Sequence, residues 1–211
     1  MNKNFEKLQN NIARRNYLKL LGAGGAGLLT GSLFAKNYKR IKPNIIVIVA
    51  DDMGYNDIGV YGCKDIPTPG INSIAENGVR FKNAYVSSPL CSPTRAGLMT
   101  GRYQQRFGYE FNPGSPPGSL REQVGLPLDE TTLAQTLKSA GYITGIVGKW
   151  HLGMRKKFHP LNRGFDSFFG FISGGRKYFD EPGTDNPIFK DHKIVQEKEY
   201  LTDAFTGQAL S

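Results

Sequence analysis

Pro43-Asn44-Ile45-Ile46-Val47-Ile48-Val49-Ala50-Asp51-Asp52 is the stretch on which the fold class turns. Its apolar run is continuous and largely β-branched. A strand that is apolar on both faces belongs in the middle of a parallel sheet, covered by helices on either side. Asp51 and Asp52 follow directly, beyond the carboxyl end of that strand, where open α/β sheets bind their ligands. The two carboxylates therefore read either as oxygen donors for a hard cation or as ordinary turn residues.

Working outward, Thr68-Pro69 predicts a short helix with proline in its first turn and Gly78 as its stop. Val79 to Val86 predicts a second strand. Pro93 predicts a helix through Leu98-Met99 that Gly101 closes. Residues 113–127 are rich in Gly and Pro and read as loop. Thr131 to Ala140 places Leu133, Leu137 and Ala140 at helical spacing before Gly141, and Tyr142 to Val147 reads as the next strand. Thr202 to Leu210 looks like a helix that has barely begun. Alternating strands and helices predict an α/β fold, a three-layer sandwich with a mostly parallel central sheet, over residues 43–211.

The chain has 211 residues, 39% of them hydrophobic and 21% charged, which excludes collagenous, low-complexity and disordered acidic classes. The net charge of +9 suggests nucleic acid until its distribution is read. Residues 1–42 hold nine Lys/Arg against one Glu, whereas residues 43–211 are nearly balanced. The basicity belongs to the leader, and no nucleic-acid partner is expected. Arg14-Arg15-Asn16-Tyr17-Leu18-Lys19 runs into a Gly/Ala-rich apolar stretch, Leu20 to Ala35, with five glycines. That composition makes a poor membrane span and a good export signal. The paired arginines predict the twin-arginine route over residues 1–35 and an exported, periplasmic or extracellular protein; membrane anchoring is the weaker alternative.

Cys91-Ser92-Pro93-Thr94-Arg95 places a cysteine just before a proline-initiated helix, where unsatisfied N–H groups favour an anion. Arg95, four residues on, returns to the same helix face. Cys91 reads either as a reactive cysteine at an oxyanion site or as one half of a disulfide with Cys63. In an extended Lys149-Trp150-His151, Lys149 and His151 project to one side and Trp150 to the other. Lys149 can then meet an anion and His151 exchange a proton. His159, in a His-Pro turn, and His192, among charged residues, are given no role, and Tyr178 and Phe179 read as packing residues.

The Cys91 to Arg102 stretch, with its Leu98-Met99-Thr100-Gly101-Arg102 tail, resembles the signature of the type I, formylglycine-dependent sulfatases of the alkaline phosphatase superfamily. Pro43 to Gly62 is similar to that family's opening strand and metal loop, and Gly148 to Gly153 with His159 to Asp166 to its second active-site segment. The resemblance runs over residues 43–206. It implies an alkaline-phosphatase-like fold and hydrolysis of a sulfate ester by a formylglycine made from Cys91. On that reading the hydrated aldehyde attacks sulfur through one hydroxyl, activated by Ca²⁺, and its second hydroxyl loses a proton to His151 as sulfate leaves. The resemblance makes Cys91, Arg95, Lys149 and His151 catalytic, Lys149 and His151 substrate-binding, and Asp51, Asp52 and Cys91 metal ligands. Ca²⁺ is expected rather than Mg²⁺, because an all-oxygen site tolerates its looser geometry.

The implied partners are a sulfated small molecule or sulfated glycan, a sulfatase-maturating enzyme and the export machinery. The family's second Asp-Asn metal pair, a further histidine and a further lysine have no counterpart by Ser211, so the fold is expected in truncated form. Two other readings stay open: a phosphonate or phosphate ester hydrolase of the same superfamily, and a non-catalytic fragment.

Overall fold

The computed structural model describes residues 42–113, 123–179 and 186–211, and the proposed export signal lies outside them. The chain divides into two units, Met1–Ala50 and Asp51–Ser211. Among the described residues of the first unit, 42–50 run without helix or ladder pairing, and Ile46 and Ile48 are 83% and 80% exposed. The buried strand expected over Ile45–Ala50 is thus not formed. An isolated apolar run has strand propensity, but a strand exists only through hydrogen bonds to a neighbour. The same correction applies to Val79–Val86, a bent segment in which Phe81 and Tyr85 are exposed.

The second unit is built on a four-stranded mixed sheet in the order β1-β2-β3-β4, with β1 Gly145–Lys149, β2 Ser167–Phe171, β3 Ile188–Lys190 and β4 Lys193–Val195. β1 and β2 are parallel, whereas β2–β3 and β3–β4 are antiparallel. The strand expected over Tyr142–Val147 appears shifted toward the carboxyl end, so that Lys149 closes β1. Gly148 pairs with Gly170 across the β1–β2 ladder, and both have positive φ. A Cβ at Gly170 would run into the backbone of Gly148, so these strands meet where only glycine fits.

The described residues include four α-helices, α1 Pro69–Asn77, α2 Cys91–Thr100, α3 Leu133–Ser139 and α4 Leu201–Leu210, of which α4 packs on β1 and β2. The sequence expectations for all four hold to within a few residues. α1 starts at its proline. α2 ends at Gly101 in the left-handed region (φ 64°). α3 carries a capping box, in which Thr132 Oγ1 accepts from Gln135 N and Gln135 Oε1 accepts from Thr132 N. The fold is therefore α/β, as expected. One core cluster centres on Ala96, Tyr109, Leu126, Trp150 and Leu152, tying α2 to the segment that follows β1. A second, of Phe169, Phe171, Ile188, Leu201 and Ala204, seats α4 on the sheet. Tyr178, although 60% exposed, stacks on Tyr200 at 5.0 Å.

Candidate active site

α2 begins at Cys91, with Leu90 as N-cap in extended conformation. Leucine has no side-chain acceptor for the free N–H groups of the first turn, which ordinarily need one. Proline at the third helical position removes one of those donors. Asn112, from a distant loop, accepts the N–H of Ser92 on Oδ1 at 3.2 Å. Ser92 is fully buried; its Oγ donates to the carbonyl of His151 at 2.5 Å and lies 2.9 Å from Tyr109 Oη. The start of α2 is thereby fastened to the segment after β1.

That segment delivers the rest of the site. β1 ends at Lys149, but the ladder continues as Trp150 N donates to Phe171 O and His151 N to Ile172 O. Trp150 turns into the core, edge-on to Phe165, with Nε1 donating to Phe158 O at 2.8 Å. His151 adopts φ 56°, an uncommon conformation for a side-chain-bearing residue. Its buried ring stands with Nδ1 3.3 Å from Cys91 Sγ. The separation of Trp150 from Lys149 and His151 follows the sequence reading, although His151 reaches its place through that backbone turn.

Arg95 comes back to the same region, donating from Nη1 to the carbonyl of Lys149 at 2.6 Å. Lys149 Nζ lies 2.6 Å from Asp51 Oδ2, and Arg95 Nη2 3.7 Å from Asp51 Oδ1. Burial works to raise the Asp51 carboxyl, but the hydrogen bond and charge of Lys149, helped by Arg95, outweigh it and hold the group below its ordinary value. His151 is pushed down to about 4 by burial, then by the neighbouring charges of Lys149 and Arg95. It is a neutral imidazole near pH 7, able to accept a proton.

Five of the six residues singled out in the sequence thus meet in two contacting groups: Asp51 with Lys149 and Arg95, and Cys91 with His151. Asp52, exposed and at φ 60°, makes no hydrogen bond or ion pair among the described residues. Cys91 and Cys63 are both free thiols, which removes the disulfide alternative in this structure. Sequence reasoning missed Asn112, Ser92 and Tyr109. No local pattern marks Asn112 and Tyr109, whose contacts with Cys91 and Ser92 are made only in three dimensions, while Ser92 lies inside the quoted motif without having been given a role.

Asp51 and Asp52 fit a hard cation in donor chemistry, offering carboxylate oxygens only. They are incomplete in number, since Ca²⁺ takes about six to eight oxygens. Among the described residues no cluster of three or more His, Cys, Asp or Glu side chains is arranged to hold a metal.

The Sulfatase family profile matches residues 43–211. The chain belongs to the sulfatase family. It is 40% identical over 173 residues to human N-acetylgalactosamine-6-sulfatase, a match covering 79% of this chain and 33% of that protein. With human arylsulfatase G it shares 43% identity over 147 residues, covering 69% and 27%. The crystal structure of Ps i-CgsB superposes with a TM-score of 0.75 at 42% identity, covering 81% of this chain and 41% of that one. The complex of Ps i-CgsB with k-i-k-neocarrahexaose gives the same values. The chain spans about a third of the length of these curated relatives, and it shares the alkaline-phosphatase-like fold of the structural neighbours.

Proposed function

We propose that the chain is the N-terminal part of a sulfuric ester hydrolase whose nucleophile derives from Cys91. The observation that carries this reading is the thiol of Cys91 at the first residue of α2, 3.3 Å from the neutral imidazole of His151. Oxidised to formylglycine by a maturating enzyme and hydrated, Cys91 would supply the hydroxyl that attacks sulfur. Ca²⁺ would be held in part by Asp51 and Asp52, adding positive charge where negative charge develops. The chain's own groups do the rest. Arg95 and Lys149 neutralise the sulfate. His151 accepts the proton released as the sulfate leaves. The names of the relatives, and the oligosaccharide bound to Ps i-CgsB, support a sulfated sugar as the substrate class.

The test uses the chain co-expressed with a maturating enzyme and extended with the remaining sequence of a sulfatase relative. Turnover of an aryl sulfate is expected. Cys91→Ser should release alcohol once and then stall, since a serine lacks the second hydroxyl needed to expel sulfate. Full turnover by Cys91→Ser would overturn the reading. The 211-residue chain alone is expected to show little turnover, because two carboxylates do not fix a cation against the nucleophile.

Residues 1–35 are proposed as a twin-arginine export signal that places the protein outside the cytoplasm. Arg14→Lys with Arg15→Lys should retain it in the cytoplasm, and unchanged export would contradict this route.

A further inference from the structure

We propose that Ser92 is a positioning residue, whose hydroxyl holds the His151 imidazole against the group at position 91 through the carbonyl of His151. The inference rests on the reading of His151 as the proton acceptor for that group, and it adds a residue that the reading does not use.

Ser92 follows Cys91 in the first turn of α2, and its side chain is fully buried. Its backbone is fixed by the N–H given to Asn112 Oδ1 at 3.2 Å. The direction of its side-chain bonds follows from the protons at hand. A hydroxyl has one proton and a carbonyl can only accept, so Ser92 Oγ gives its proton to His151 O at 2.5 Å. The contact of 2.9 Å between Ser92 Oγ and Tyr109 Oη is then donated by the tyrosine. Burial pushes the Tyr109 hydroxyl up to about 12, which keeps that proton in place near pH 7. The donors therefore run from Tyr109 to Ser92 to the His151 carbonyl.

The backbone of His151 determines what the last bond does. A residue with a side chain persists at φ 56° only where its surroundings over-determine it. Both backbone polar groups of His151 are held, the N–H by Ile172 O at 3.2 Å and the C=O by Ser92. The first bond continues the pairing of β1 with β2, and the second comes from α2. The left-handed turn is thus clamped between sheet and helix, and it aims the ring so that Nδ1 stands 3.3 Å from Cys91 Sγ. Because Cys91 and Ser92 are neighbours, one helical turn carries both the reacting group and the hydroxyl that fixes its base. Without that hydroxyl the buried His151 carbonyl loses its donor. Relaxation of the strained turn then swings the ring away from position 91.

The experiment compares the parent with Ser92→Ala, Ser92→Thr and Tyr109→Phe, with thermal midpoints recorded for all four. Tyr109→Phe removes one buried hydrogen bond of the same network but leaves Ser92 bonded to His151, so it is the control for a loss of stability alone. In the 211-residue chain at pH 7.5, ¹⁵N spectra of the three histidine rings report their tautomers. A neutral ring held on fixed partners keeps one tautomer and shows two well-separated nitrogen signals, whereas a released ring averages them. His151 should be fixed in the parent, in Ser92→Thr and in Tyr109→Phe, and averaged in Ser92→Ala, while His159 stays unchanged in all four. In the matured, extended enzyme, with turnover expressed per formylglycine, Ser92→Ala should lower kcat by about tenfold or more at unchanged KM. Ser92→Thr should restore most of that loss, and Tyr109→Phe should stay close to the parent. If the ring remains fixed in Ser92→Ala, or if an active parent loses no more kcat through Ser92→Ala than through Tyr109→Phe, the proposal falls. If the extended parent shows no turnover while Ser92→Ala still frees the ring, the positioning by Ser92 stands and the hydrolase reading falls.

Discussion

Lys149 Nζ and Asp51 Oδ2 stand 2.6 Å apart, joining the last residue of β1 to the carboxylate proposed to hold a cation. One carboxylate therefore engages an amine that the proposed reaction needs for sulfate. Removing the amine should have opposite effects on the two ligands. Lys149→Met is expected to raise Ca²⁺ affinity several-fold, because a competing positive charge leaves Asp51. The same change should weaken inorganic sulfate about tenfold, the scale of a lost charged hydrogen bond. Calorimetry with each ion checks both signs, and parallel changes in the two affinities would contradict the arrangement.

Cys91, rather than Cys63, is expected to be the modified residue. Only Cys91 has Pro93, Thr94 and Arg95 behind it; Cys63 is followed by Lys64 and Asp65. Masses of the two cysteine-containing peptides, taken after co-expression with a maturating enzyme, decide the matter. A modified Cys63 beside an intact Cys91 would reverse the assignment.

The His151 ring is set against the backbone of Gly174, where a Cβ would fall 2.6 Å from Nε2. Gly174→Ala should displace the imidazole from Cys91 and cut turnover of the matured, extended enzyme by about a hundredfold, as small misplacements do. Gly175, with nothing within 4 Å of its would-be Cβ, is the matched control. Equal activities of the two alanine variants would show that His151 tolerates the shift.

Acid should destabilise the chain through two histidines. His151 and His159 are both pushed down to about 4 from 6.5, chiefly by burial, with Lys149 and then Arg95 acting on the first and His192 on the second. Below pH 6.5 the unfolded chain binds protons that the folded chain refuses, so stability falls between pH 6.5 and about 4. Asp51, held below its ordinary 3.8, stabilises the fold above that value, and its contribution fades only as pH drops further. Urea midpoints measured between pH 7 and 4 should decline, and less steeply in His159→Phe, which keeps an aromatic ring among Phe168 and Phe189. Identical slopes for both proteins would remove His159 from this account.

Much of the helical structure was legible because its signals are local. Pro69 and Gly101 act within a turn or two of chain, and each bounds a helix where expected; the Thr132/Gln135 capping box is equally local but was not read from the sequence. The strands were read less well. Ile45–Ala50 and Val79–Val86 carry the composition of strands yet form none, while Ser167–Phe171, which no periodicity singled out, is the centre of the β1–β2–β3 pairing. Composition measures how well a residue suits a sheet, whereas pairing depends on a partner far away in the chain.

The candidate site divides the same way. Cys91 and Arg95 share a helix face because they are four residues apart, and Lys149 and His151 flank Trp150, which can only go to the core. Sequence alone therefore determined the family and the fold class, and it named the residues proposed for the site. Tertiary structure decided that Lys149 reaches Asp51 across 98 residues of chain, that His151 meets Cys91 by a left-handed turn, and that Asn112 caps a helix with no cap of its own. Helix periodicity operates over one turn and is written in neighbouring residues. A contact across the fold is set by how whole elements pack, and no short stretch of sequence contains that information.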